Sequence, residues 1–148
     1  MINKIIRFIL ICANPVLFPI TRFLARIFIV KRNDVRVLIR CGGETLLVMH
    51  PYGPRQWVPP GGGVKRRESS EDAARREVRE EVGIALQELR SCGSFPIGAK
   101  AKTFVFTARV PTKTFHSDTI EISEVRWFAD ADLPLAESRF LRRCFEAN

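Results

Sequence analysis

Three glutamates, Glu77, Glu80 and Glu81, stand at i, i+3 and i+4 within the longest helical pattern of the chain, Ser70 to Val82. That spacing puts three carboxylates on one side of a helix within a single turn. Like charges at this spacing destabilise a helix by roughly 0.2 to 0.5 kcal/mol per pair, and more when partly buried, unless a cation neutralises them. Arg76 and Arg79 each answer part of the charge, and Arg76, four residues before Glu80, is well spaced for a charge-assisted bond. Two arginines do not exhaust three carboxylates when the opposite face, Ala74, Val78 and Val82, is fixed to a core. A hard divalent cation would complete the site. Oxygen-only ligands on a rigid helix, with water in the remaining positions, are what magnesium uses when it also holds a substrate phosphate.

The elements around this helix have to present it. Ser69 or Ser70 caps its start, Glu71 and Asp72 occupy the first turn, and Gly83 stands where a left-handed residue ends a helix. Immediately upstream, Pro59-Pro60-Gly61-Gly62-Gly63 is a loop in which three residues without a Cβ let backbone come close to a ligand. A glycine triplet alone is more often a flexible turn and a glutamate-rich helix more often a solvated face; their conjunction at fixed spacing is what carries information. Before the loop, Val35, Val37 and Ile39 alternate, Cys41 to Glu44 turns, and Leu46 to Met49 continues apolar, which predicts a hairpin followed by a loop from His50 to Gly63. Further strands are expected at Leu86 to Phe95, Thr103 to Val110 and Val125 to Phe128. A closing helix is expected over about Leu135 to Phe145, with Phe140, Leu141 and Cys144 on one face.

A chain of 148 residues, 46% hydrophobic and 27% charged, has room for one compact domain and little else. Its net charge of +8 is uneven: Lys4, Arg7, Arg22, Arg26, Lys31 and Arg32 precede the first acid, Asp34, and the remainder holds 18 basic against 16 acidic residues. A specific nucleic-acid partner is therefore not indicated. Cys12, Cys41, Cys92 and Cys144 form no CxxC pair, so neither a zinc site nor a disulfide framework is expected, and a reducing cytoplasm fits. Residues 1–32 read as an apolar, basic, helical segment preceding a domain over 33–148. The 14 uncharged residues between Arg7 and Arg22 are interrupted by prolines and fall short of the roughly 20 a membrane-spanning helix needs. Ile5, Ile6, Ile9, Leu17, Ile20, Phe23, Leu24 and Ile27 make apolar faces beside these cations. Two readings of the segment stay open: attachment to an anionic membrane surface at its inner, cytoplasmic face, or packing on the domain or on a second subunit as a homodimer.

Gly62, five residues, Glu68, seven residues, Arg76-Glu77-Val78, one residue, Glu80-Glu81, one residue, Gly83-Ile84 resembles the Nudix box at all nine specified positions across 23 residues. Trp57 to Val64 before it, and Glu121 to Phe128 after it, resemble the family's flanking segments. The resemblance implies an α/β fold, an α/β/α sandwich with a mixed sheet. It also implies magnesium-dependent hydrolysis, with manganese as a substitute, of a diphosphate bond in a nucleoside diphosphate linked to another group. On that resemblance Glu77, Glu80, Glu81 and the Gly62 carbonyl are the expected metal ligands. Arg76 orients the carboxylates, and Glu68 holds the box by pairing with a basic neighbour.

Many relatives add a carboxylate from a loop just before a tryptophan, and Glu121, ahead of Trp127, is the first choice over Glu124. Water is the nucleophile, and Glu80 or Glu121 is the candidate base. Pro59 departs from the usual large apolar residue of the family's loop. Lys65-Arg66-Arg67 makes the approach to the helix basic, so Lys65 and Arg66 are candidates to contact substrate phosphates. Trp57, Tyr52 and Phe104 are candidates to stack a base, against the commoner role of such residues in a core. His50 and His116 are read as packing or surface residues. The box does not choose the group attached to the diphosphate. Two other readings remain: a silent nucleotide sensor on the same fold, or a membrane-associated protein with an ancillary hydrolase domain.

Overall fold

Val35, Val37 and Ile39 lie on β1 (Asp34–Cys41) and are fully buried, as alternation predicts, but Leu38 on the opposite face is fully buried too. Both faces of this strand are covered, and β1 is central to a mixed sheet. The computed structural model describes residues 33–51, 55–97, 99–117, 121–136 and 138–146, so the helical segment expected over residues 1–32 and the candidate Tyr52 lie outside the described residues. Gly42 takes φ +61° in the turn to β2 (Glu44–Met49), and β1 and β2 pair antiparallel from Cys41↔Glu44 to Ile39↔Leu46. On its other side β1 pairs parallel with β5 (Ala101–Arg109), which pairs antiparallel with β4 (Arg90–Ile97). β6 (Glu124–Ala129) runs along the free edge of β2.

β1 and β2 separate beyond Ile39 and Leu46, and the intervening chain fills the gap. β3 (Trp57–Val58), two residues inside the segment expected to be loop, pairs with Met49 and Val48 of β2. The chain after it lies along β1, where the Val35 and Val37 amides donate to the Gly62 and Pro60 carbonyls at 2.9 Å each. The proline-glycine segment is thus stitched to the central strand.

Helices cover the two faces. Ala73, Ala74, Val78 and Val82 of α1 (Ser70–Val82) are fully buried against Val35, Val37, Ile39, Leu46, Val48, Phe106 and Ala108. Each buried valine contributes on the order of 1.5–3 kcal/mol relative to leaving it exposed. On the other face α2 (Arg139–Glu146) sets Cys144, Phe140 and Phe145 against Leu38, Phe95 and Val105. The expected α/β/α arrangement is therefore observed. Of the two candidate caps, Ser69 is the N-cap of α1: its hydroxyl accepts the Asp72 amide at 3.0 Å. Gly83 ends the helix at φ +69°, and its amide donates to the Arg79 carbonyl at 3.1 Å.

Two boundaries differ from expectation. Residues 84–89 are not strand: Ile84, Leu86 and Leu89 pack on the core, and Arg75 donates to the Leu86 carbonyl at 2.6 Å, so a side chain takes a bond that a ladder would need. The closing helix starts at Arg139 rather than near Leu135, because the Ser138 hydroxyl caps the Leu141 amide at 3.1 Å and Arg142 binds the Leu135 carbonyl. Among the described residues, no helix is long and apolar enough to cross a membrane.

Candidate active site

Arg76 is the centre of a clasp that joins the start of the box to its carboxylates. Its Nε and Nη2 donate to the two oxygens of Glu68 at 2.7 and 2.9 Å, Nη1 donates to Glu77 at 2.6 Å and to Glu80 at 3.2 Å, and Nη2 also donates to the Gly63 carbonyl at 3.0 Å. A planar fork can hold the glycine loop and the helix together in this way, whereas a single ammonium cannot. Glu68 also accepts the Lys65 amide at 2.8 Å across a tight turn in which Arg67 takes φ +65°. The hydrogen bonds from Arg76, chiefly, hold the Glu68 carboxyl down at about 2, and the same bonds raise Arg76.

The glycines are needed for contact. A Cβ on Gly62 would lie 2.7 Å from the Glu77 carboxylate, and one on Gly61, at φ +146°, would lie 2.1 Å from the Val35 carbonyl oxygen. The Gly61 amide donates to Glu81 Oε2 at 2.9 Å. Glu81 is only 4% exposed, and burial pushes its carboxyl up to about 7; Arg36 and the Gly61 amide pull it back, while Glu77 and Glu121 push it further up. Burial also raises Glu77, against Arg76, with Glu80 and Glu121 adding to the rise. The Gly62 carbonyl accepts the Val35 amide, which leaves it a second lone pair.

The remaining candidates divide. Glu121 is exposed, and its charge bears on both Glu77 and Glu81. Glu124 instead pairs with Arg55 at 3.1 Å and lies 3.9 Å from Arg126. Lys65 approaches Glu80 at 4.0 Å, and Arg66 is exposed with no ion pair among the described residues. Trp57 stands edge-on to Phe128 with centroids 4.9 Å apart, and the Arg126 guanidinium covers its ring at 5.2 Å. Phe104 packs against the core, and so has the commoner role of a strand aromatic. The His116 backbone has a further task, donating from its amide to the Val82 carbonyl at the end of α1.

Arg36 went unread in the sequence. From β1 its Nη1 donates to the Pro59 and Gly61 carbonyls at 3.2 and 3.0 Å, and its Nη2 to Asp34 at 3.3 Å. Gly61 therefore joins a cation to a buried carboxylate, with its carbonyl on Arg36 and its amide on Glu81. The available signal was a charge flanked by Val35 and Val37 in a strand buried on both faces, where a guanidinium must find acceptors.

With Arg76 and the Gly61 amide holding these oxygens, no three carboxylate, imidazole or thiol groups converge on a common centre among the described residues. The donor set still fits a hard divalent ion. It is all oxygen, it contains the Glu81 carboxyl, which burial holds up and a nearby cation would bring down, and Gly62 leaves room where a Cβ would meet Glu77.

Comparison with known proteins extends the pattern. The NUDIX domain model matches residues 30–147. Diphosphoinositol polyphosphate phosphohydrolase 2 of Rattus norvegicus is 38% identical over 93 residues, 60% of this chain and 51% of the relative. The NAD-capped RNA hydrolase NudC of Vibrio parahaemolyticus is 29% identical over 100 residues, 66% of this chain and 38% of the relative. The chain thus spans about half or less of the length of the curated relatives it matches. A solved MutT NUDIX hydrolase from Burkholderia pseudomallei superposes with a TM-score of 0.70 at 27% identity, covering 79% of this chain and 97% of that one. With the box complete and the domain model matching residues 30–147, the chain belongs to the Nudix family.

Proposed function

We propose that this chain hydrolyses a phosphoanhydride bond in a nucleoside diphosphate linked to another group, with water as nucleophile and Mg²⁺ as cofactor. The observation that carries the reading is the Gly61-to-Gly63 segment pressed onto α1, with the Gly61 amide on Glu81 and Gly62 against the Glu77 carboxylate. The two curated relatives described above are both named as hydrolases, which supports the reaction class. Glu77, Glu80, Glu81 and the second lone pair of the Gly62 carbonyl would hold the ion, and Mn²⁺ could replace it. When bound, it supplies positive charge to the phosphoryl oxygens, where cleavage needs it most.

The chain's own residues do the rest. Arg76 fixes the carboxylates and the loop in one frame, which is work that positioning catalysis requires. Proton removal from the attacking water falls to Glu80 or Glu121. The Glu80 side chain is 56% exposed, and the bond it accepts from Arg76, at 3.2 Å, is the longest that guanidinium makes. Lys65, beside Glu80, and Arg66 are suited to phosphate oxygens at the mouth. A base stacked on Trp57 would have to displace Arg126 from the ring.

The test is a panel of nucleoside triphosphates, nucleotide sugars, dinucleoside polyphosphates and capped RNA with Mg²⁺ or Mn²⁺, reading phosphate and pyrophosphate release separately. Turnover on at least one member is expected, and its loss on chelation. Glu80→Gln should bind substrate yet lose on the order of 100-fold or more in turnover. Wild-type turnover in that variant removes Glu80 from the mechanism and passes the role to Glu121. Silence across the panel, with no cation bound in calorimetry, would leave a nucleotide sensor as the better reading.

A further inference from the structure

A cavity of about 680 Å³ opens at the end of the sheet away from the glycine segment, lined by Arg40, Arg90, Arg109, Thr107, Glu88 and Leu89 among others. Its place follows from strand geometry. Asp34, beside the glycine segment, and Arg40 are six residues apart on β1, about 20 Å at the usual rise.

Three adjacent strands aim their arginines into the same space. Arg40 and Arg109 are direct neighbours in the parallel ladder, so both side chains leave the same face of the sheet, the one α2 covers further along. Thr107 is two residues before Arg109 and pairs with Arg90. Arg90 reaches that face only because β4 carries a bulge: Gly93 pairs with Val105 but Ser91 with Phe106, and the extra residue, Cys92, shifts the alternation by one. Without it Arg90 would point to the α1 face. Helix α2 has eight residues and spans about 12 Å, whereas the nine residues of β5 span about 30 Å, so α2 leaves this end of the face bare.

The charge is unbalanced. Arg40 pairs with Asp130, while Arg90 and Arg109 have no ion pair among the described residues, and neither does Glu88 at the cavity wall. Like charges directly opposite on a sheet repel, and their convergence on a concave surface calls for an anion. Guanidinium forks match phosphate oxygens in pairs.

We infer that this cavity is a second, separate anion site that takes a small oligophosphate, the phosphate chain of a nucleotide or of inorganic polyphosphate. A nucleic-acid backbone fits less well. Outside residues 1–32 the chain holds 18 basic against 16 acidic residues, and so lacks the broad positive field that tracks a polyanion. The cationic segment over residues 1–32 holds no acid that could offset Arg90 and Arg109.

The experiment is titration calorimetry of the full-length protein with inorganic tripolyphosphate in EDTA at roughly physiological ionic strength. One saturable site per chain is expected. Arg90→Gln with Arg109→Gln should weaken it by about tenfold or more with the melting temperature unchanged, both side chains being exposed. Glu77→Gln should leave it intact. Absence of saturable binding overturns the inference, as does equal affinity in the double arginine variant. Loss of binding on Lys65→Gln with Arg66→Gln instead assigns the anion to the loop. An oligonucleotide that binds more tightly than tripolyphosphate through Arg90 and Arg109 replaces the small ligand with nucleic acid.

Discussion

Glu81 is a buried carboxyl whose folded-state value, about 7, lies above that of an unfolded chain, so the folded state binds the proton more tightly. The stability this gives is complete below the unfolded value near ~4 and is lost as pH rises through about 7. Glutamine keeps an acceptor for the Gly61 amide without the charge. Glu81→Gln should therefore stabilise the fold without added cation at about pH 8, by roughly 1–3 kcal/mol, with the difference closing towards about pH 4. Thermal melts across that range decide it, and a variant less stable at the alkaline end would mean that the charged carboxyl is well satisfied. At this scale the carboxylates and Arg76 were readable because one helical turn sets their spacing. The strand pattern marks Arg36 as a charge in need of acceptors but does not name them, because the two carbonyls it binds lie 23 and 25 residues away and only the folded loop brings them to it.

Among the elements, α1 was legible to its last residue, since the Ser69 cap, the Gly83 stop and the Ala74-Val78-Val82 stripe are all local signals. β3 was not, because two residues have no periodicity to detect and their pairing depends on β1 and β2 drawing apart. The beginning of β4 was misplaced for a related reason: apolar residues at 84, 86 and 89 alternate loosely, yet they pack as a coil whose carbonyls Arg75 takes. Gly61 tests how tightly these elements are joined. Alanine there meets the Val35 carbonyl and must hold a φ that L residues rarely adopt, so Gly61→Ala should cost about 3 kcal/mol or more in chemical denaturation. A loss under about 1 kcal/mol would show that the loop can step away from β1 freely.

Across the whole molecule, helices on both faces account for the near-continuous apolar run of β1 and leave function to the ends of the sheet. The role of residues 1–32 is decided by sedimentation with anionic vesicles, comparing the full chain with a truncation starting at Asn33. Attachment to a membrane surface predicts that only the full chain pellets. Packing on protein predicts that neither does and that truncation changes the oligomeric size or the melting temperature.

The amides of Val35 and Val37 lie on the central strand yet donate to Gly62 and Pro60 rather than to another regular strand. Their hydrogen exchange is therefore a gauge of loop release, not of strand fraying. Divalent cation that fastens the glycine segment to α1 should slow deuterium uptake at these two positions, while Ile39, where β1 and β2 still pair, keeps its rate. The innermost strand would then report, residue by residue, how firmly the catalytic edge is closed.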